Sequence, residues 1–158
     1  LEYMAYEMCR RGVQRLREDE IIELLENVRC DYPNIRPLKN HSTEAFLRLL
    51  ERRTSILVEA GTMRHHGQPM PVFEFRHLTF QEYLAGLALV EGQFPGYDKS
   101  LSLAERIAPL AGQMKLMKVS EYGEEEHAVS ENWREALRLC ISCCNNNEVD
   151  EALNAISK

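Results

Sequence analysis

What the chain lacks narrows its chemistry before what it has. Its longest apolar run, LAGLALV at 84–90, falls far short of the roughly 18 residues a membrane-spanning helix needs. The opening LEYMAYEMCRR has no basic head followed by a long apolar stretch, so no secretory signal is read there. The eight glycines are scattered, none in a G-x-x-x-x-G-K-[ST] phosphate loop, and no apolar run ends in paired acids for magnesium. There is no H-E-x-x-H and no Ser-His-Asp ordering around a nucleophile elbow. An enzyme contained in this chain finds no support.

Cysteine is scarce and irregular. The five are Cys9, Cys30, Cys140, Cys143 and Cys144. An odd number with no signal points to reduced thiols and a cytoplasmic setting. Cys140 and Cys143 form a C-x-x-C, but no second pair follows at zinc spacing, so the cysteines are expected to fill core as small, soft side chains and no metal is expected.

What is present is ordinary for a globular protein: 44% hydrophobic and 28% charged, too apolar for disorder and enough for one domain or one and an annex. Net charge is −6. Residues 1–100 carry 13 basic and 15 acidic side chains, and residues 101–158 carry 6 and 10, with GEEEH at 123–127 weighting the second part. Such a chain is a poor general binder of polyanions, whose phosphates need clustered Lys and Arg. Starting without Met and inside an amphipathic pattern, it is expected to be a piece of a longer protein.

Periodicity orders the elements. Leu1, Met4, Ala5 and Met8 fall at helical spacing and Gly12 reads as a stop. VQRL at 13–16 alternates as a brief strand. Acids gathered before Ile21, Ile22, Leu24, Leu25 and Val28 predict a helix from about Glu18. RCDYPNIRPLKN at 29–40, with two prolines and two asparagines, predicts a loop. Ser42 or Thr43 caps a third helix carrying Phe46, Leu47, Leu49 and Leu50. Residues 56–60 and 72–76 bracket TMRHHGQPMP, predicting a hairpin with a long turn. Three helices and a β-wing are the order of a winged helix.

Beyond the wing, Thr79, Phe80, Gln81 and Glu82 fit a capping box, with Phe80, Tyr83, Leu84, Leu87, Ala88 and Val90 as the apolar face behind it. GQFPGYDKS at 92–100 marks a boundary. Ser102 and Glu105 give a second capping box before a helix containing Pro109. SEYGEEEHAVSEN reads as an acidic loop, and NWREALRLCISCC and EVDEALNAISK as two helices about a break at NNN. The fold class is therefore mainly α: a winged-helix domain over 1–91, then a helical, HEAT-like annex over 92–158 that starts an α-solenoid.

FRHLTFQEYLAG resembles a signature of NACHT-type NTPases, in the signal-transducing STAND class. In that family a similar phrase closes the winged-helix domain that follows the ATPase core. The matching positions are Phe75, His77, Thr79, Phe80, Gln81, Glu82, Tyr83 and Ala85. The resemblance covers about residues 1–90 and implies helical repeats afterwards. It implies a regulatory piece that is silent alone and holds no cofactor, with ATP or ADP and magnesium on the parent protein's core. The implied partners are that core and the downstream repeats, with no membrane, nucleic acid not expected, and self-assembly of the parent allowed. The implied setting is antiviral defence or innate-immune signalling.

The resemblance also implies a role for His77: in a resting, ADP-bound state it reaches the nucleotide's phosphate and locks the domains together. An imidazole can give one hydrogen bond to a phosphate oxygen, and a helix start already tolerates anions. The bland alternative packs His77 between Phe75 and Phe80, bonded to a nearby carbonyl. Arg76 either joins His77 at the phosphate or lies on the solvated face of its strand. Thr79 and Glu82 are expected as helix caps, and His65 and His66 as a solvated wing tip. A competing reading is a DNA-binding winged helix using Arg48, Arg52, Arg53 and Arg64, opposed by Glu44, Glu51 and the acidic balance.

Overall fold

The computed structural model describes residues 1–115 and 128–157. Among them lie eight helices and one three-stranded antiparallel sheet. In chain order these are α1 (Glu2–Arg11), β1 (Arg15–Arg17), α2 (Glu18–Asp31), α3 (Arg36–Asn40), α4 (Thr43–Thr54), β2 (Leu57–His65), β3 (Gln68–Phe75), α5 (Leu78–Glu91), α6 (Leu103–Lys115), α7 (Ala128–Cys143) and α8 (Asn146–Ser157). They form two compact units, one of residues 13–80 and one of residues 1–12 with 81–158.

In the unit of residues 13–80, Glu20 accepts the Arg17 backbone N–H at 2.9 Å, which satisfies an orphan donor at the start of α2. Ile21, Leu24 and Leu25 turn inward from that helix, and Leu47 from α4. Ser42 caps α4, its Oγ accepting from the Ala45 N–H at 3.2 Å. The sheet runs β1-β3-β2, with Leu16 opposite Phe73 and Leu57 opposite Phe75. Those four side chains are buried and lie on one sheet face, which shares a core with the α2 and α4 stripes.

Two sequence expectations for this unit fail. Residues 29–40 are not a continuous loop: α2 runs to Asp31, and α3 forms over Arg36–Asn40. Pro37 sits in the first turn of α3, where its missing N–H costs nothing, and Leu38 anchors the turn in the core. Nor is the hairpin turn long. The strands continue to His65 and Gln68, joined by His66 and Gly67 at φ 48° and 79°. Two successive positive φ values make the tight primed turn that matches strand twist. Pro69 and Pro71, which sequence reading assigned to the tip, lie within β3 beyond the stretch that β1 covers. There a residue without an N–H discourages pairing with another sheet.

In the unit of residues 1–12 and 81–158, Gly12 closes α1 in the left-handed region at φ 66°, its N–H turned back to Cys9 and Met8. Ser102 and Glu105 form the expected reciprocal cap of α6: the carboxylate accepts from the Ser102 N–H at 2.8 Å, and the hydroxyl oxygen from the Glu105 N–H at 3.3 Å. Met4, Met8, Leu89, Ile107, Trp133, Leu137, Cys140 and Ala152 are buried, so α1, α5, α6, α7 and α8 all feed one core. Tyr6 stacks on Phe94 at 4.7 Å and meets Trp133 edge-on at 5.3 Å. Arg106 donates to the Leu89 carbonyl at 2.7 Å and lies over the Tyr97 ring, fastening the loop after α5.

Further corrections concern the annex. The acidic segment expected to be a loop is helical from Ala128, and its residues before that lie outside the described ones. The break at NNN is narrower than expected, because Asn145 alone caps α8, its Oδ1 accepting from the N–H groups of Asn147 and Glu148 at 3.1 Å. Cys9 and Cys140 fill core as expected; Cys30 is exposed.

Candidate functional site

The joint between β3 and α5 is built from residues 75–80. Phe75 is buried and ends the strand. From Arg76 to Phe80 every residue is exposed. The Arg76 N–H donates to the Ile56 carbonyl at 2.7 Å, and its Nε donates to the Ser55 carbonyl at 2.9 Å. Ser55 closes α4 in the left-handed region at φ 52°. Arg76 is at the surface, as the solvated alternative has it, with its Nε committed to the carbonyl end of α4, where a cation is favoured.

His77 is exposed. Its carbonyl accepts from the Phe80 N–H at 3.0 Å as α5 begins. Its ring lies 5.4 Å from that of Phe80, inclined 56°, on one side only, and is not sandwiched in a core. Because α5 starts at Leu78, Thr79 and Glu82 stand inside its first turns rather than bracketing its start. Burial raises the Glu82 carboxyl above its ordinary range, with the charge of Glu135 adding to it. A carboxylate accepting backbone N–H bonds would be lowered.

Of the apolar face expected of α5, Ala88 alone is buried. Gln81, Ala85, Gly86, Ala88 and Leu89 are buried, while Phe80 and Tyr83 are exposed. The helix is apolar nearly all round, so periodicity misjudged which side packs. Small residues decide it: Gly86 lies directly against the backbone of α7 at Ala136 and Cys140. Gln81, buried at the centre of the motif, donates through Nε2 to Cys9 Sγ at 3.8 Å. The only sequence signal for that tie was a polar residue at a helical position flanked by apolar turns.

Other candidate residues are accounted for elsewhere. Arg48 bonds Glu18 at 2.7 Å, Glu59 at 3.2 Å and Glu51 at 3.3 Å, and lies over the Phe73 ring. His65 and His66 meet ring to ring at 4.1 Å, with His65 Nε2 3.8 Å from Asp19. Among the described residues no group of three or more His, Cys, Asp or Glu side chains could hold a metal ion. Arg52, Arg53 and Arg64 are exposed.

Residues 1–89 match the family described as "Winged helix-turn-helix domain C-terminal to NACHT". The chain belongs to this family. The match covers α1 through nearly all of α5, including the joint at His77. No curated protein and no solved structure matches the chain. The matched domain is the one that follows NACHT, distinct from the NACHT core itself. No helix among the described residues is long and apolar enough to cross a membrane.

Proposed function

We propose that the chain is the regulatory section of a NACHT-type signal-transducing ATPase, in which His77 reports the state of the nucleotide. With ADP on the ATPase core of the same polypeptide, the His77 imidazole donates one hydrogen bond to a phosphate oxygen and helps hold the resting arrangement. Activation breaks the bond, and the equilibrium moves by the contacts that differ between the two states. Residues 1–91 serve as the winged-helix part, residues 92–158 as an annex that leads into helical repeats. ATP, ADP and magnesium belong to the core. The parent protein acts in the cytoplasm, in defence or innate-immune signalling.

One observation carries this reading: within the family-matched segment, His77 stands exposed at the start of a helix, its ring beside that of Phe80. A ring sealed in the core could not reach a nucleotide. The reading frame upstream of Leu1 tests the proposal. It requires a phosphate loop some two hundred residues earlier, on the layout of the resembling family. A complete upstream frame with no phosphate loop would end it.

A further inference from the structure

We propose that Arg76 is a positioning residue for His77, acting through the end of α4 rather than through its charge at the phosphate. The inference deepens the proposed function and rests on it. Two consecutive carbonyls at the close of α4, Ser55 and Ile56, are both taken by Arg76, one by its side-chain Nε and one by its backbone N–H. Beyond His77, the Phe80 N–H holds the His77 carbonyl at 3.0 Å. The backbone of His77 is therefore tied on both sides: before it to α4, after it to α5. Only its side-chain torsions remain, and the Phe80 ring limits those from one side.

The clasp accounts for what the residue does with its donors. An arginine meant for a phosphate presents its planar fork of N–H groups to it. Here Nε, one member of that fork, is turned to a backbone carbonyl of its own domain. A site that must meet a ligand within a fraction of an ångström needs such support from neighbours that do not touch the ligand.

Glutamine separates the two roles. Its Nε2 sits at the same chain position as arginine Nε, so Arg76→Gln keeps a donor for the Ser55 carbonyl and discards the charge. Arg76→Ala discards both. In this chain, amide hydrogen exchange at Arg76 and Phe80 should quicken about tenfold in Arg76→Ala and stay within about twofold of wild type in Arg76→Gln. In the full-length protein loaded with ADP, Arg76→Ala should release nucleotide faster, and Arg76→Gln at the wild-type rate. On a His77→Ala background, Arg76→Ala should add nothing, because it acts through the missing ring.

Each other outcome decides against a named part. If Arg76→Gln releases ADP as fast as Arg76→Ala, the charge is what matters and the positioning role is wrong. If His77→Ala speeds release and Arg76→Ala does not, the positioning role falls while the sensor stands. If His77→Ala leaves release unchanged, the sensor itself is wrong. Should Arg76→Ala fail to fold, Arg76→Met, which keeps the stem and removes the donor, takes its place: faster release than in Arg76→Gln supports the clasp, and equal release overturns it.

Discussion

A Cβ placed on Gly86 of α5 would stand 2.5 Å from the Ala136 carbonyl oxygen and 2.8 Å from the Cys140 nitrogen of α7. Both obstacles are backbone atoms of a helix, which cannot swing aside as a side chain can. Ala in place of Gly gains about 1 kcal/mol in helix propensity. Overpacking against fixed backbone costs about 1–3 kcal/mol. Gly86→Ala should therefore lower stability by up to about 2 kcal/mol, seen as a lower urea midpoint at unchanged slope. A higher midpoint would mean the two helices separate without cost.

Glu82 offers a test of what the motif's carboxylate does. Its folded value is raised by burial, and next by Glu135. A raised carboxyl favours the fold below its unfolded value and loses that contribution as pH rises through the folded one. Glu82→Gln should therefore melt higher than wild type at pH 7, with the difference vanishing below about pH 4. A lower melting temperature at pH 7 would show the carboxylate serving as a helix cap.

Burial pushes the thiols of Cys9 and Cys140 up to about 12 from an ordinary value of 9.0. Above pH 9 the unfolded chain sheds protons that the folded chain keeps, so stability intact below that value falls as pH rises toward 12. Cys140→Ala should flatten part of this decline in denaturant titrations at pH 8 to 11. In a thiol-labelling time course at pH 8, exposed Cys30 should react first, and Cys9 and Cys140 only on unfolding. Early labelling of Cys9 would contradict the burial.

Duplex DNA should bind weakly and without a steep salt slope. Arg48, the central cation of α4, already faces Glu18, Glu51 and Glu59. Three carboxylates around the helix that would enter a groove repel phosphate as much as the arginine attracts it. Gel shifts between 50 and 200 mM salt check this. Affinity that falls about a thousandfold across that range would make the chain a DNA reader.

Much of the architecture was legible because it rests on local chemistry. Ser42, Ser102 with Glu105, and Gly12 announce helix ends through side chains or a backbone freedom that act within three residues. The winged-helix order follows from periodicity alone. Pro37 at the start of α3 and Asn145 capping α8 were local signals read too loosely, whereas other misreadings needed distant partners or backbone angles. His66 in a left-handed conformation allowed a turn far tighter than the Gly and Pro content suggested. The buried side of α5 was set by how closely α7 approaches Gly86, which an all-round apolar sequence does not disclose. At the joint, His77 was singled out by its motif, whereas the Arg76 clasp spans 21 positions to Ser55 and has no local signal.

The rate at which ADP leaves the full-length protein tests the sensor most directly. A lost hydrogen bond to a charged phosphate oxygen weakens the resting state by about 1.5–3 kcal/mol, equivalent to roughly ten- to a hundredfold. His77→Ala should speed ADP release by that order while leaving the melting of this 158-residue chain close to wild type. Release at the wild-type rate, in a protein that still binds ADP, would contradict the role proposed for His77.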